Sequence, residues 1–255
     1  MKEKVFRMID DSAQELQAYA ADVASEPEFG FKEFKTSAKL AAQFDKLGIP
    51  YRKGMAITAV KGVLKGGKPG PTIAILGELD AIGCPEHPKA DPDTGAAHAC
   101  GHHMQGPAIL GAAKALKDAA IDAPYTITVY GTPAEETISG KVVMLENGCT
   151  FEELDVALMM HGGPATQVDV KSLALNKLKI IYHGVCSHAA LKPEKGRSAL
   201  DGLILACQGV EFLREHVPSM FGCTTPSSTA AARRQMWYPA MQKRVCMSAP
   251  TTARS

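Results

Sequence analysis

The sequence has little that would suit it to a membrane, a nucleic acid or a disulfide framework. No apolar run reaches the roughly 18–20 residues that a membrane-spanning helix needs. The 28 Lys and Arg residues almost balance the 27 Asp and Glu residues, which leaves no basic stripe of the kind that binds nucleic acid. The seven cysteines follow no framework spacing and include no C-x-x-C pair, which argues against a disulfide-rich fold and a zinc finger.

The N-terminal segment also lacks the apolar stretch of a signal peptide. Its sequence, MKEKVFRMIDDSAQELQAY, is charged and amphipathic, so together with the unpaired cysteines it predicts a cytoplasmic protein. Hydrophobic residues make up 45% of the chain and charged residues 22%. These values are close to the average for globular proteins, so we expect a packed core.

Segments with helical and strand-like patterns alternate along the chain. Apolar spacing predicts helices at 5–24, 36–47, 106–119 and 140–147, and strands at 56–63, 72–76, 125–130 and 156–160. This alternation predicts an α/β fold in which helices cover a sheet. A longer β pattern at 171–182 and a helix at 198–216 follow, so a second domain is expected to begin near residue 170.

Residues able to carry chemistry come after the predicted strands or directly before the helix at 106–119, where sites form in open α/β sheets. They are found in GELD at 77–80, HACGHH at 98–103, the Glu135–Glu136 pair and His161. Thiolate, imidazole and carboxylate groups are ligands of zinc-type ions. A pair of ions needs about five ligands with one bridging group.

These residue types can be assigned to such a pair of ions. Cys100 could bridge the ions as a thiolate, and His102, Glu136 and His161 could supply further ligands. Glu135 is then free to take a proton from water, because a general base must not also be a ligand. Asp80 could orient a ligand histidine from behind.

Five motifs in collinear order resemble the M20 metallopeptidases. They are LGELDAIG, HACGHH, GTPAEE, MMHGGP and HGVCSHAALKPEKGRSALD. The resemblance covers residues 1–218. It is closest to the branch that includes aminoacylases, the aminobenzoyl-glutamate hydrolases and the β-alanyl-dipeptide hydrolases. The resemblance implies a di-metal exopeptidase-like catalytic domain with an inserted α+β lid or dimerisation domain.

The same resemblance implies a set of site residues and partners. Two divalent ions, zinc or manganese, would be held by Cys100, His102, Glu136 and His161. Glu135 would be the general base. His188, in the lid, would reach into the site of a partner subunit in a homodimer and stabilise the oxyanion. The implied substrate is a small amide, such as an N-acyl amino acid, a dipeptide or an aminoacyl-glutamate.

The chain departs from the family pattern at His103 and after residue 218. The family usually has Asp or Asn directly after CGH, so His103 puts the metal preference in question. Residues 219–255 carry five basic and no acidic side chains and the only tryptophan, and they show no helical or strand period. The family continues well past this point, with the rest of the lid and a last histidine ligand.

The genetic code suggests an origin for this tail. When the last base of each tail codon is read with the first two bases of the next, the Met236–Trp237 and Trp237–Tyr238 junctions each encode valine. The shifted frame can then spell an NGG…NVVP turn and a strand, which is similar to what the family has next. We therefore expect a partial catalytic domain at 1–169, the start of a lid at 170–218 and a frameshifted or disordered tail at 219–255. A chain truncated in this way is expected to be inactive.

Three other interpretations stay open. Cys100 could be the nucleophile of a cysteine hydrolase with a nearby histidine as its base. The chain could be a non-catalytic metal-binding module. It could also be a pseudogene product without function.

Overall fold

The computed structural model describes residues 2–119, 124–137, 140–149, 151–168, 174–216 and 243–251. The chain divides into two compact units, Met1–Thr166 and Gln167–Ser255. No helix in the described part is both long and apolar enough to span a bilayer.

The first unit has five helices and seven strands among its described residues. The helices are α1 (Lys2–Asp11), α2 (Ala13–Ser25), α3 (Phe34–Leu47), α4 (Gln105–Asp118) and α5 (Gly140–Glu146). The strands are β1 (Tyr51–Lys53), β2 (Val60–Lys65), β3 (Thr72–Glu78), β4 (Ile82–Gly83), β5 (Ala96–Ala97), β6 (Thr126–Thr132) and β7 (Val156–Met159). The predicted alternation of helices and strands is confirmed.

The single helix predicted over residues 5–24 is wrong, because the chain turns at Ser12. There the backbone N–H of Ser12 bonds the carbonyl of Ile9, three residues back, and the Ser12 hydroxyl bonds the carbonyl of Met8 at 2.9 Å. A side chain that bonds its own helix in this way competes with the regular backbone ladder. The helix therefore divides into α1 and α2.

The main sheet brings the ends of β3, β6 and β7, the strands that precede three of the site motifs, to one edge. Its strand order is β1-β2-β6-β3-β7, and β3 runs parallel to both β6 and β7. Leu76 pairs with Tyr130 on one side and with Met159 on the other. Because parallel strands end at the same edge, GELD, the glutamate pair and His161 emerge together.

Helices and loops cover both faces of the central strands. Successive side chains of β6 alternate between the faces, so Val129 lies in a core with Leu40 and Phe44 of α3, whereas Tyr130 lies in a second core with Met144 of α5. The outer strand β7 differs, since its four residues are exposed.

Two glycines allow α3 to pack and to end where it does. A Cβ on Gly131 would lie 2.4 Å from the end of the Leu40 side chain, so a larger residue there would force that side chain of α3 to move. Gly48 has a φ of 60°, and the Ile49 N–H bonds the Phe44 carbonyl. This left-handed cap ends the helix, as the sequence predicts.

The second unit contains β8 (Ala174–Tyr182), α6 (Ala199–Leu213) and β9 (Lys243–Thr251) among its described residues. The two strands pair antiparallel, from Ala174 with Thr251 to Tyr182 with Lys243. Ser198 caps α6 by accepting the Asp201 N–H at 3.2 Å.

The sequence predicts no regular element in residues 219–255, whereas the structure has the strand β9 at 243–251. The rest of that tail lies outside the described residues. The division into 1–169, 170–218 and 219–255 stays a prediction.

Candidate metal site

A short turn before α4 places two of the predicted ligands next to the sheet edge. Gly101 has a φ of 91°, a left-handed conformation that favours glycine. It is followed by a 3-10 turn, His102–Met104, that leads into α4. His102 is 1% exposed and Cys100 is partly exposed. The HACGHH motif therefore points one histidine inward and keeps the neighbouring thiol at the surface of the site.

Asp80 holds two of the predicted site residues through its two carboxylate oxygens. His102 Nδ1 lies 2.9 Å from the Asp80 carbonyl oxygen and 3.2 Å from Asp80 Oδ1. The Glu136 backbone N–H donates to Asp80 Oδ2 at 2.9 Å. Because the carbonyl can only accept, Nδ1 of His102 carries the proton. Nε2 therefore keeps its lone pair for a ligand when the ring is neutral.

Cys100 and His161 approach His102 from the exposed side of the site. Cys100 Sγ lies 3.5 Å from His161 Nε2, and one donor atom from each of Cys100, His102 and His161 lies within 4.8 Å of the others. His161 Nδ1 donates to the Gly162 carbonyl at 2.8 Å. That bond directs the Nε2 lone pair of His161 towards the thiol.

Carboxylates surround His102 Nε2. Glu78 Oε2 lies 3.1 Å away and Glu136 Oε1 lies 3.8 Å away. Donor atoms of Glu78, His102 and Glu135 lie within 4.8 Å of one another. The structure thus brings Cys100, His102, His161 and both glutamates of the pair to one place, together with Glu78.

Glu78 is held in place by two neighbouring residues, Lys141 and Gln105, that the sequence did not assign to the site. Its Oε1 accepts Lys141 Nζ at 2.6 Å. Gln105 accepts the Glu78 N–H through Oε1 at 3.0 Å and donates to Glu78 Oε2 through Nε2 at 2.9 Å. The signal for Glu78 was its position in GELD, directly after a buried strand.

Glu33 is a second residue whose position the sequence did not reveal. It is fully buried; Oε1 accepts the Ala134 backbone N–H at 2.8 Å and Oε2 accepts the Thr58 hydroxyl at 2.6 Å. Ala134 has a φ of 51°, which is unusual for a residue other than glycine. Glu33 therefore holds the strained residue directly before Glu135.

The charges of the site shift the pKa values of its members in opposite directions. Burial alone would lower the pKa of His102, but the Asp80 and Glu78 carboxylates outweigh it and raise it to about 10. Burial alone would raise the pKa of Glu78, but His102 and Lys141 outweigh it and lower it to about 2. Burial, reinforced by Glu136 and other carboxylates, raises the pKa of the Cys100 thiol to about 12.

The pKa of Glu135 is raised by burial and by the neighbouring charges of Glu78 and Glu136. A carboxyl group with a raised pKa is a better proton acceptor than an ordinary glutamate. Three carboxylates so close together repel one another, and a cation placed among them would relieve the repulsion.

Two buried atoms of the site have the surroundings expected of metal ligands. His102 Nε2 and Glu136 Oε1 are buried and have no hydrogen-bond partner among the described residues. Glu78 Oε2, 3.1 Å from Nε2, forms an ion pair with the ring only when the ring is protonated. Buried polar atoms are nearly always satisfied. A thiol, imidazoles and carboxylates around two unsatisfied atoms form a donor set that fits zinc-type ions.

His188 lies in the second unit. The backbone N–H groups of Ala190 and Leu191 each donate to His188 Nδ1 at 3.2 Å. This local turn fixes the ring through Nδ1.

Comparison with known proteins identifies the family. The model of peptidase family M20/M25/M40 matches residues 74–244. The chain belongs to this family. The match includes the motifs that build the site, and it continues past residue 218, where the resemblance noted in the sequence ends.

Several members of the M20 family are similar to the chain. It is 31% identical over 229 residues to a p-aminobenzoyl-glutamate hydrolase chain of Escherichia coli (strain K12), covering 84% of this chain and 47% of that protein. It is 30% identical over 235 residues to Xaa-Arg dipeptidase of Mus musculus, covering 85% and 51%. It is 31% identical over 197 residues to N-acetyl-L-cysteine deacetylase of Bacillus subtilis (strain 168), covering 72% and 47%. The chain spans about half the length of these relatives.

Solved structures show the same fold. The Bacillus subtilis YXEP protein, described as a dinuclear metal binding peptidase from the M20 family, has a TM-score of 0.66 at 21% identity and covers 94% of this chain and 65% of its own. Human carnosine dipeptidase 1 has a TM-score of 0.69 at 12% identity and covers 100% and 73%. The α/β architecture is therefore that of M20 peptidases.

Proposed function

We propose that the chain carries the catalytic site of a metal-dependent amidohydrolase. Its substrate would be a small amide, such as an N-acyl amino acid, a dipeptide or an aminoacyl-glutamate. The observation that carries the proposal is the pair of buried, unsatisfied atoms, His102 Nε2 and Glu136 Oε1, beside the Cys100 thiol. The relatives support the substrate class, since their names describe hydrolysis of an aminobenzoyl-glutamate, a dipeptide and an N-acetyl amino acid.

The proposed ligands of two divalent ions are Cys100, His102, Glu136 and His161. Thiolate and imidazole favour zinc, whereas the carboxylates also suit manganese. When bound, such ions polarise the amide carbonyl and make water more acidic. Asp80 supports the site from behind by orienting His102 and fixing the backbone of Glu136.

Glu135 is the proposed general base. It takes a proton from the attacking water, whose oxygen forms a bond to the amide carbon while the carbonyl oxygen gains negative charge. Glu135 then delivers that proton to the amide nitrogen as the C–N bond breaks, leaving a carboxylic acid and an amine. The raised pKa of Glu135 suits it to both transfers.

The role of His188 and the oligomeric state belong to the same proposal. As the oxyanion stabiliser, His188 would donate a hydrogen bond to the developing charge from Nε2, because Nδ1 already accepts two backbone N–H groups. The resemblance places this residue in a homodimer partner's site. We propose a cytoplasmic homodimer acting on a small molecule.

The cysteine-hydrolase interpretation is disfavoured by the environment of Cys100. A nucleophilic cysteine needs a lowered pKa, usually from a neighbouring cation. Burial and the surrounding carboxylates raise the pKa of Cys100 to about 12 instead. A thiol in such surroundings is a weak nucleophile at neutral pH, whereas a bound metal ion would stabilise its thiolate as the proton leaves to a base.

The test measures metal content and hydrolysis on the full chain. Metal-depleted protein is loaded with Zn²⁺ or Mn²⁺ and assayed with p-aminobenzoyl-glutamate, N-acetylcysteine and dipeptides ending in arginine. We expect the wild-type chain to bind metal and Cys100→Ser to bind it more weakly. Glu135→Gln should lower any hydrolysis by about 10²–10⁴-fold, whereas the exposed control Glu153→Gln should not.

Each arm has a result that contradicts the proposal. A chain that binds neither ion would overturn the metal site. Metal binding with hydrolysis equal in wild type and Glu135→Gln would overturn the base assignment. Metal binding without any hydrolysis by wild type would favour the non-catalytic module and agree with the expected inactivity of this chain.

A further inference from the structure

Two histidines that the proposed centre does not use face each other beside it. His98 follows β5 and is 7% exposed. His103 lies on the 3-10 turn before α4. Their ring centroids are 5.4 Å apart and the ring planes make an angle of 48°.

The facing rings have unsatisfied nitrogen atoms. Both ring nitrogens of His98 and Nδ1 of His103 are buried without a hydrogen-bond partner in the described part of the chain. A neutral imidazole has one N–H donor and one lone pair. Because buried polar groups are nearly always paired and each neutral ring has one lone pair to offer, one unsatisfied nitrogen of each ring is available to a shared ligand.

The spacing of the rings suits a shared metal ion. With a Zn–N bond of about 2.1 Å, two imidazoles on one tetrahedral ion have centroids about 5 Å apart. Zinc, copper and nickel all accept imidazole nitrogen, and water can complete their coordination.

The pair is separate from the proposed catalytic ligands. His102 uses Nδ1 for Asp80 and turns Nε2 towards Glu78, and Cys100 faces His161. We infer that His98 and His103 form a further site for a divalent transition-metal ion, held by imidazole alone. This inference does not depend on the proposed function.

The experiment compares Co²⁺ and Zn²⁺ binding by full-length wild type, His103→Asn, Cys100→Ser and the double variant. Asparagine keeps a polar side chain of similar reach but is a poor ligand for these ions. The exposed His216→Asn is the matched control. Metal content is measured by atomic emission, and the thiolate-to-cobalt absorption band reports the Cys100 site independently.

We expect His103→Asn to keep the thiolate band and to lose one metal equivalent relative to wild type and to His216→Asn. Cys100→Ser should lose the thiolate band but keep the metal equivalent bound by His98 and His103. The double variant should bind that equivalent at least tenfold more weakly. Equal metal content in wild type and His103→Asn would overturn the inference.

If His103→Asn disturbs folding, His98→Asn takes its place in the same comparison. Loss of one metal equivalent with the thiolate band kept supports the site, and metal content equal to that of wild type overturns it. Absence of the thiolate band in wild type would instead count against the proposed catalytic centre. Failure of that centre and failure of the His98–His103 site can therefore be told apart.

Discussion

Asp80 and His102 are joined at two points, through the carbonyl oxygen of Asp80 at 2.9 Å and its Oδ1 at 3.2 Å from the same ring nitrogen. Both residues are almost fully buried. The remaining carboxylate oxygen of Asp80 accepts the backbone N–H of Glu136. Asp80, two residues after β3, therefore sets the orientation of the His102 ring in the turn before α4. It also fixes the loop that follows β6.

Replacing Asp80 by asparagine should weaken metal binding without unfolding the protein. Asparagine can keep one of the two side-chain contacts, but it removes the negative charge that makes His102 a better ligand. We expect Zn²⁺ affinity to fall about 10–100-fold, measured by competition with a chromogenic chelator. The exposed Asp93→Asn is the control, and equal affinities in Asp80→Asn and wild type would contradict the role of Asp80.

His102 should make the stability of the metal-free protein depend on pH. The Asp80 and Glu78 carboxylates raise its pKa from 6.5 to about 10 in the folded state. The stabilisation is therefore fully present below pH 6.5 and is lost as the pH rises towards about 10. The loss should be on the order of a few kcal/mol.

The measurement is the free energy of unfolding by urea in the presence of chelator between pH 6.5 and 10. Wild type should lose stability over this range, and His102→Asn should show a much flatter dependence. Parallel curves would mean that the Asp80 and Glu78 carboxylates do not stabilise the protonated ring of His102.

The sheet edge and its site could be predicted because the decisive residues lie next to strands in the sequence. GELD, the glutamate pair and His161 each follow a strand, and parallel pairing of β3 with β6 and β7 brings those ends together. The thiol and imidazoles of HACGHH are diagnostic by type and spacing. Chemistry of this kind is encoded locally.

The supporting contacts could not be predicted, because they join residues distant in sequence. Lys141 reaches Glu78 across 63 positions, and Glu33 reaches the Ala134 backbone across 101. Neither residue has a local pattern that distinguishes it from a surface charge. The break at Ser12 was missed for another reason: the apolar period continues through it while a side-chain hydrogen bond turns the backbone.

Glu33 should stabilise the loop that carries Glu135. Alanine at this position would leave the Ala134 N–H and the Thr58 hydroxyl buried without partners, so Glu33→Ala should cost about 2–4 kcal/mol in the free energy of unfolding. Glutamine can accept from Ala134 and donate to Thr58, so Glu33→Gln should stay within about 1 kcal/mol of wild type.

Glu33 should also make the stability of the protein depend on pH. Burial raises the pKa of Glu33 above 4.5, so its stabilising, protonated form is fully present below pH 4.5 and is lost as the pH rises through the folded-state pKa. Glu33→Gln should lack that decline. Equal destabilisation by alanine and glutamine would show that the carboxylate contacts do not hold the loop.

The ion pair between Lys141 and Glu78 should act in opposite directions on stability and on metal binding. Lys141 Nζ lies 2.6 Å from Glu78 Oε1, and the Lys141 side chain is 33% exposed while that of Glu78 is 2% exposed. Removing one partner of a fully buried ion pair costs about 3–5 kcal/mol, although Glu78 keeps its contacts with Gln105 and His102. Partial exposure of Lys141 reduces this, so Lys141→Met should lower metal-free stability by about 1–3 kcal/mol.

With the lysine absent, the charge of Glu78 is compensated less by the protein and more by any cation bound among the carboxylates. Lys141→Met should therefore bind Zn²⁺ several-fold more tightly than wild type and be stabilised more by saturating metal. Urea unfolding with and without Zn²⁺ measures both effects. Lys114→Met, which breaks the more exposed pair with Asp118, should change neither. Weaker metal binding in Lys141→Met would instead mean that Lys141 is needed to hold Glu78 and Gln105 in place, because a lost charge alone can only favour the cation.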